Sequence, residues 1–460
     1  MTGYALLIPE VLLIVGALWA LFAERLPGGD RGAAWLGALL SVGAAVAAAL
    51  SGTGGRSPFG TLLVFDGPAR LVRVAIGVLS AIWLLWTASR GRGRIREAVS
   101  LALFTSIGAL VMAGAHELIT LLLAVELATI PAYVLMGYRK RDLHGLEGAL
   151  KYFLLSMLTS LVMLYGFSFV YGLSGTTIYG RIDIAHAGVL GLLAVLLSLV
   201  GMFAKLSAAP FHYWTPDAYE GADPWAVAFV STVPKVAGGI AMVRLLAAVA
   251  PGVASTSEVL LVVAGASMLL GNLGALTQTD VRRLMAYSGV AHTGYLLLGA
   301  AVLASQGFSA AVFYSVAYAA PSLAVMLVAA EEGSLLTDFN GLAQRRPGTA
   351  WAIVVLLLSL IGIPPLAGFF GKLGLFTAAL GHGGSAFTWL VVIAVAMSVV
   401  SAGYYLRIVR AMFFGVAGDS REPLVASHAA SFAILACVLI VFGLGLAAGP
   451  VLTSLGALAK

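Results

Sequence analysis

The chain has 460 residues, of which 61% are apolar and 10% charged, and its mean hydropathy is +1.01. That composition is too apolar for a soluble globular protein; it excludes soluble enzymes and nucleic-acid binders, and the formal charge of +6 then implies no acidic partner. The single cysteine, Cys437, excludes an internal disulfide, a thiolate-held iron–sulfur cluster and a c-type haem in this chain.

Apolar runs of about 20 residues, the length of one membrane crossing, recur from end to end and predict an all-α polytopic membrane protein of about 14 helices. They lie near residues 3–23, 32–51, 66–88, 98–114, 118–137, 149–172, 188–218, 224–249, 257–277, 283–303, 307–330, 350–381, 386–414 and 429–456. An open sheet would leave edge N–H and C=O groups unpaired in lipid, and the runs are too long and uniform for the alternating strands of an outer-membrane barrel. The first run, MTGYALLIPEVLLIVGALWALF, has no basic segment before it and carries Pro9 and Glu10, which predicts a retained helix rather than a cleaved signal peptide.

Lysine and arginine alternate between the two faces. One set of connections holds Arg25, Arg31, Arg90, Arg92, Arg94, Arg96, Arg139, Lys140, Arg141, Lys151, Arg282, Arg283, Arg345, Arg346, Arg407, Arg410 and Arg421. The other holds little beyond Arg56, Arg70, Arg73, Arg181, Arg244 and Lys460. The first face is expected to be cytoplasmic, with both termini on the outer side.

Two runs are too long and interrupted by proline: 188–218, with Lys205 then AAP at 208–210, and 350–381, with IPPLAG at 363–368 then Lys372. Proline removes a donor and clashes with the preceding turn, so both helices are expected to break near mid-membrane. They are the seventh and twelfth runs, and the five-helix blocks they belong to begin on opposite faces, the arrangement of an inverted repeat with its sites at broken helices. The organisation expected is a three-helix segment (1–97), two five-helix half-channels (98–249 and 257–414) and a C-terminal helix (429–460).

A few ionisable residues fall deep in these runs: Glu126, Lys205, Lys235, His292 and Lys372. Each charge at a helix centre costs about 2.5–3.5 kcal/mol, so three lysines and a glutamate, ionised and unpaired, would cost on the order of 10 kcal/mol. They must pair, lose charge or line a hydrated path, and a proton or ion path is the default. A lysine and a carboxylate about 4 Å apart suit such a path, because desolvation and attraction nearly cancel; Glu126 is expected to pair with Lys205 in this way. His292 has Ser288 four residues before it on the same helix face, which allows either a satisfied core histidine or a relay. His212, just past Pro210, either belongs to the path or caps carbonyls freed by the break. Glu147 and Lys151, spaced i,i+4, are an ordinary helix pair or the mouth of the path. HELIT at 116–120, GRGR at 91–94 and GKLG at 371–374 fail as zinc, dinucleotide and phosphate motifs, and no metal cluster is expected.

LLLAVELATIPAYVLMGYRKRD at 121–142, KLSAAPFHYWTPDAYEGADP at 205–224 and DVRRLMAYSGVAHTGYLLLG at 280–299 resemble the antiporter-like subunits of respiratory complex I, and the wording of the second is nearer subunit N than L or M. Lys372 also departs from subunit M, where a glutamate is typical. The resemblance implies a 14-helix membrane-arm subunit in a bacterial inner membrane with two inverted half-channels. Glu126 and Lys205 match the family's helix 5 and helix 7 pair, Lys235 the helix 8 lysine, Lys372 the helix 12 exit residue, and His292 the polar link between halves. It further implies that this chain binds no cofactor, that FMN and iron–sulfur clusters sit in partner subunits, and that NADH and quinone are substrates of the whole complex. The partners implied are a neighbouring antiporter-like subunit, small membrane subunits and the lipid bilayer, with no nucleic acid. The rival expectation is a large subunit of a multi-subunit monovalent cation/proton antiporter.

Overall fold

The computed structural model describes residues 3–22, 29–52, 57–90, 95–139, 142–416 and 427–455. Arg25, Arg56, Arg92, Arg94, Lys140, Arg141, Arg421 and Lys460, used above for orientation, lie outside them, as does the side chain of Arg90. Among the described residues the fold is helical, with only isolated β-bridges such as Leu63 with Ala115 and Glu117 with Ile178.

The helices, in chain order, are α1 (Ile8–Phe22), α2 (Gly29–Leu50), α3 (Gly67–Arg90), α4 (Arg96–Gly114), α5 (Leu118–Met136), α6 (Leu143–Ser174), α7 (Gly188–Leu206), α8 (Trp214–Gly221), α9 (Pro224–Val230) and α10 (Val233–Val249). They continue with α11 (Thr256–Leu276), α12 (Val281–Ala300), α13 (Ser305–Glu332), α14 (Leu342–Arg345), α15 (Pro347–Ile361), α16 (Ala367–His382), α17 (Ser385–Phe414), α18 (His428–Leu446) and α19 (Ala448–Leu455). Twelve helical segments among the described residues are long and apolar enough to cross a membrane. α12 has the length, 20 residues, but not the hydropathy, because it carries Arg282, Arg283, Ser288, His292 and Thr293. Protein surrounds most of its length, so it need not dissolve in lipid. The span formed by α9 and α10 is buried throughout and α13 nearly so, whereas α17 and α18 are largely exposed. The centre of the bundle is therefore α9/α10, α12 and α13.

Both expected breaks are present. α7 stops at Leu206; Ser207 adopts the left-handed conformation at φ 65°, and its N–H caps the Phe203 and Ala204 carbonyls. The Ala209 N–H donates to Ser267 Oγ of α11 at 2.9 Å, and Trp214 Nε1 to the Ala204 carbonyl at 3.0 Å. The second break separates α15 from α16 at Gly362, φ 98°, where only glycine is unstrained. A third interruption was not expected: residues 224–249 divide at Ser231–Thr232 into α9 and α10. Pro234 explains it, since its ring would clash with the Val230 carbonyl in a continuous helix.

Several arginines read above as orientation markers also hold the bundle together. Arg73 is buried on Glu10 at 2.5 Å and on the Leu6 carbonyl, tying α3 to α1, and Arg244 is buried on Asp66 at 2.5 Å and on the Ala113 carbonyl. At the end of α13, Glu332 meets Arg345 at 2.8 Å and Arg346 at 3.2 Å, and Glu331 meets Arg346.

Helix pairs touch through glycine. A Cβ at Gly108, Gly166 or Gly271 would collide with the backbone of Ala128, Ser198 or Ala291 on the neighbouring helix, the small-residue packing usual in membranes. Gly166→Leu should therefore cost about 1–3 kcal/mol of stability through overpacking, read as a lower thermal midpoint in detergent. Gly172→Ala on the same helix, where a Cβ meets nothing within 4 Å, should not lower it.

Candidate functional site: a buried line of lysines and tyrosines

Lys205, in the last turn of α7, is buried. Its ammonium donates to Tyr133 hydroxyl at 2.9 Å, to Thr129 Oγ1 at 3.3 Å and to Ser156 Oγ. The expected ion pair with Glu126 is not formed: neither carboxylate oxygen of Glu126 has a hydrogen-bond partner among the described residues, and both are buried. Glu126, Thr129 and Tyr133 stand at i, i+3 and i+7 on one face of α5. The two hydroxyls, with Ser156 of α6, occupy the positions around the ammonium.

Lys235 lies in the first turn of α10 and is likewise buried, and its Nζ has no hydrogen-bond partner among the described residues. Room for it comes from Gly289 of α12, where a Cβ would stand 2.8 Å from Nζ and 3.1 Å from the Tyr318 hydroxyl. A cavity of about 20 Å³ is bounded by Lys235, Gly289, His292, Thr293, Tyr314 and Tyr318, among others. That is the room one water molecule needs.

His292 sits on the far wall of this cavity. Its Nδ1 pairs with the Tyr314 hydroxyl at 2.6 Å and its Nε2 with the Tyr405 hydroxyl at 3.2 Å. Ser288 reaches His292 through Tyr405, whose hydroxyl it meets at 2.5 Å. Both ring nitrogens are thus engaged by groups that both donate and accept, which lets the imidazole take either tautomer.

Lys372, in α16, is buried beyond the second break. It donates to the Leu360 and Ile361 carbonyls at 3.1 and 2.9 Å, orphaned at the end of α15, and to Ser398 Oγ at 3.1 Å. Its Nζ also lies 4.8 Å from the Tyr295 ring centroid, and Ser398 Oγ is 3.3 Å from the Tyr295 hydroxyl.

The structure thus brings Lys235 and His292 to one cavity, while Lys205 and Lys372 each have their own set of polar partners. His212 stands apart: its ring packs on Tyr213 in an apolar groove of about 380 Å³ with Pro210, Val262, Val263 and Leu270. Sequence reasoning missed Thr129, Tyr133, Ser156, Tyr295, Tyr314, Tyr318, Ser398 and Tyr405. Within α5 the signal was available as helical spacing from Glu126, and within α12 as the i+3 spacing of Tyr295 from His292; Tyr314, Tyr318 and Tyr405 come from other helices and carry none.

The family described as NADH:quinone oxidoreductase/Mrp antiporter, TM, matches residues 115–401. NADH-quinone oxidoreductase subunit N of Rhodobacter capsulatus is 36% identical over 459 residues, 96% of this chain and 95% of that one. The protein of the same name from Methylobacterium nodulans is 36% identical over 95% of this chain and 93% of its own length. This chain belongs to the subunit N family of NADH-quinone oxidoreductases. A chain of respiratory complex I from Thermus thermophilus, solved with bound aureothin, matches this subunit N family member with a TM-score of 0.83 at 32% identity, covering 97% of this chain and 99% of that chain. A chain of the Mrp complex from Dietzia sp. reaches 0.86 at 23% identity, over 99% and 96% of the two chains, a likeness of fold alone.

In this subunit N family member, Glu147 and Lys151 form an exposed ion pair of 2.9 Å in a larger network. Asp217 of α8 accepts from Lys151 of α6 and Arg283 of α12, each at 3.0 Å, and Arg283 also meets Glu220 at 2.5 Å. An open polar pocket of about 500 Å³ lies among these side chains. Partial burial opposes ionisation of Asp217, but the hydrogen bonds and charges of Lys151 and Arg283 prevail and hold its carboxyl below the usual carboxylate range. A lowered native pKa contributes stability above the ordinary value of about 3.9, lost as pH falls through the native one. The wild-type thermal midpoint should therefore fall more steeply than that of Asp217→Asn between about pH 5 and pH 3, by a modest amount because the pairs are part-exposed. Parallel curves would show that the network contributes nothing to stability.

Proposed function

We propose that the line Lys205, Lys235, His292 and Lys372 carries protons across a bacterial inner membrane as part of a type I NADH-quinone oxidoreductase, with Glu126 biasing Lys205. The observation that carries this reading is the set of three buried lysines and a histidine, of which Lys205, His292 and Lys372 are held by hydroxyls and carbonyls while Lys235 borders a water-sized cavity. Buried ammonium groups are expensive in a membrane, and such residues mark proton paths. NADH and quinone react in partner subunits that carry FMN and iron–sulfur clusters, and neighbouring antiporter-like and small membrane subunits pass the released energy to Glu126 as a shift in charge or position.

On this reading the chain has 14 membrane crossings, with both termini outside and the Glu147–Lys151–Asp217 pocket on the cytoplasmic face. The half-channels at 98–249 and 257–414 are inverted copies. The first loads Lys205, Lys235 and His292 pass the proton sideways, and Lys372 releases it outward. His212 is outside the path. Identity to the subunit N relatives across nearly the whole chain supports an NADH-driven assembly over a free-standing cation/proton antiporter.

Lys205→Ala should reduce NADH-driven proton uptake into vesicles roughly tenfold or more, the scale of a lost proton-transfer group, and Glu126→Ala should reduce it less. Near-normal pumping by both variants removes these residues from the mechanism. Gly289→Ala, which pushes a methyl against Lys235 and Tyr318, should impair pumping without preventing assembly, as read by dye quenching beside a native gel of the complex.

A further inference from the structure

Two buried polar groups that lack a hydrogen-bond partner among the described residues belong to neighbouring side chains: Lys235 Nζ stands over the Tyr219 ring, 5.7 Å from its centroid, and the Tyr219 hydroxyl is unpartnered. Tyr219 is fully buried on α8, the short helix after the first break. α8 packs on α6, which brings Ser156 to Lys205, and on α12, which brings His292 to Lys235. The Tyr219 ring meets Trp214 edge-on, with centroids 6.3 Å apart, and Trp214 in turn stacks on Tyr152 at 4.1 Å. Tyr152 packs edge-on against Tyr133, the partner of Lys205, with centroids 4.6 Å apart, and Tyr318 lies 4.6 Å from the His292 ring.

A buried hydroxyl without a partner costs stability, and a phenylalanine would fill the same space without that cost. Packing therefore accounts for the ring of Tyr219 but not for its oxygen. A phenol both accepts and donates a proton, and this one is carried by a helix packed on both α6, which holds a partner of Lys205, and α12, which borders Lys235.

We infer that the Tyr219 hydroxyl passes the proton from the Lys205 cluster to Lys235. This step rests on the relay reading proposed above. The Tyr219 oxygen takes a proton arriving from Lys205 through the Tyr133 hydroxyl and intervening water, while its own O–H breaks toward the Lys235 amine. Lys205 goes from ammonium to amine and Lys235 from amine to ammonium. The phenol is neutral before and after, and rotation of its O–H bond resets it.

The test uses the intact complex purified from its native membrane and reconstituted into liposomes, with proton uptake followed by a pH-sensitive dye and stability by thermal unfolding. Tyr219→Phe should assemble with a midpoint at or above that of the wild type, yet pump roughly tenfold more slowly or worse. Wild-type pumping by Tyr219→Phe, with Lys205→Ala and Lys235→Ala both defective, overturns the Tyr219 step and leaves the relay standing. Normal pumping by all three variants overturns the relay and this step with it. Should Tyr219→Phe fail to assemble, 3-fluorotyrosine placed at position 219 keeps the size and the hydroxyl while making the phenol more acidic. A changed rate of pumping at fixed pH then supports the step, and an unchanged rate overturns it.

Discussion

An ammonium cannot stay at the centre of an apolar bundle unless the protein replaces the water it has lost, and the core is organised around meeting that demand to different degrees. Lys205 has three hydroxyls, Lys372 has two carbonyls and a hydroxyl, and Lys235 has none within hydrogen-bond distance among the described residues. The least solvated lysine is the central one, and it borders the cavity with room for a water molecule.

The helix breaks and the lysines are one device used in two ways. Breaking a helix in a membrane frees backbone groups that need partners. At the first break those partners are Ser267 and Trp214, and Lys205, before the break, is left to the hydroxyls of α5 and α6. At the second break Lys372, beyond it, itself takes the freed carbonyls of Leu360 and Ile361. The two lysines therefore sit on opposite sides of their breaks and depend on different chemistry. Lys205 answers to hydroxyl rotation on neighbouring helices, whereas Lys372 answers to the geometry of its own broken helix.

Much of this was legible in the chain. Apolar run length marks most helices, because a span must satisfy its backbone internally and be apolar where it meets lipid. Proline and lysine together mark both breaks. The same physics failed at Pro234, whose interruption was hidden inside an apolar run that looked continuous, and at Glu126, where a carboxylate and a lysine suggested a contact that Thr129, Tyr133 and Ser156 occupy instead. Arg73 and Arg244 looked like surface charges because their partners, Glu10 and Asp66, lie far away in the chain.

By itself the sequence determined the membrane class, most of the membrane-spanning helices, the two breaks and the identity of the buried charged groups, because hydrophobic length, proline sterics and the cost of charge in lipid are local properties. Only the tertiary structure decided what surrounds each of those groups. The phenols around His292 come from α13 and α17, the glycine that makes space for Lys235 from α12, and the phenol facing Lys235 from α8. Solvation inside a protein is supplied by whichever side chains the packing brings within about 3 Å, a distance that spacing along one helix cannot report between helices.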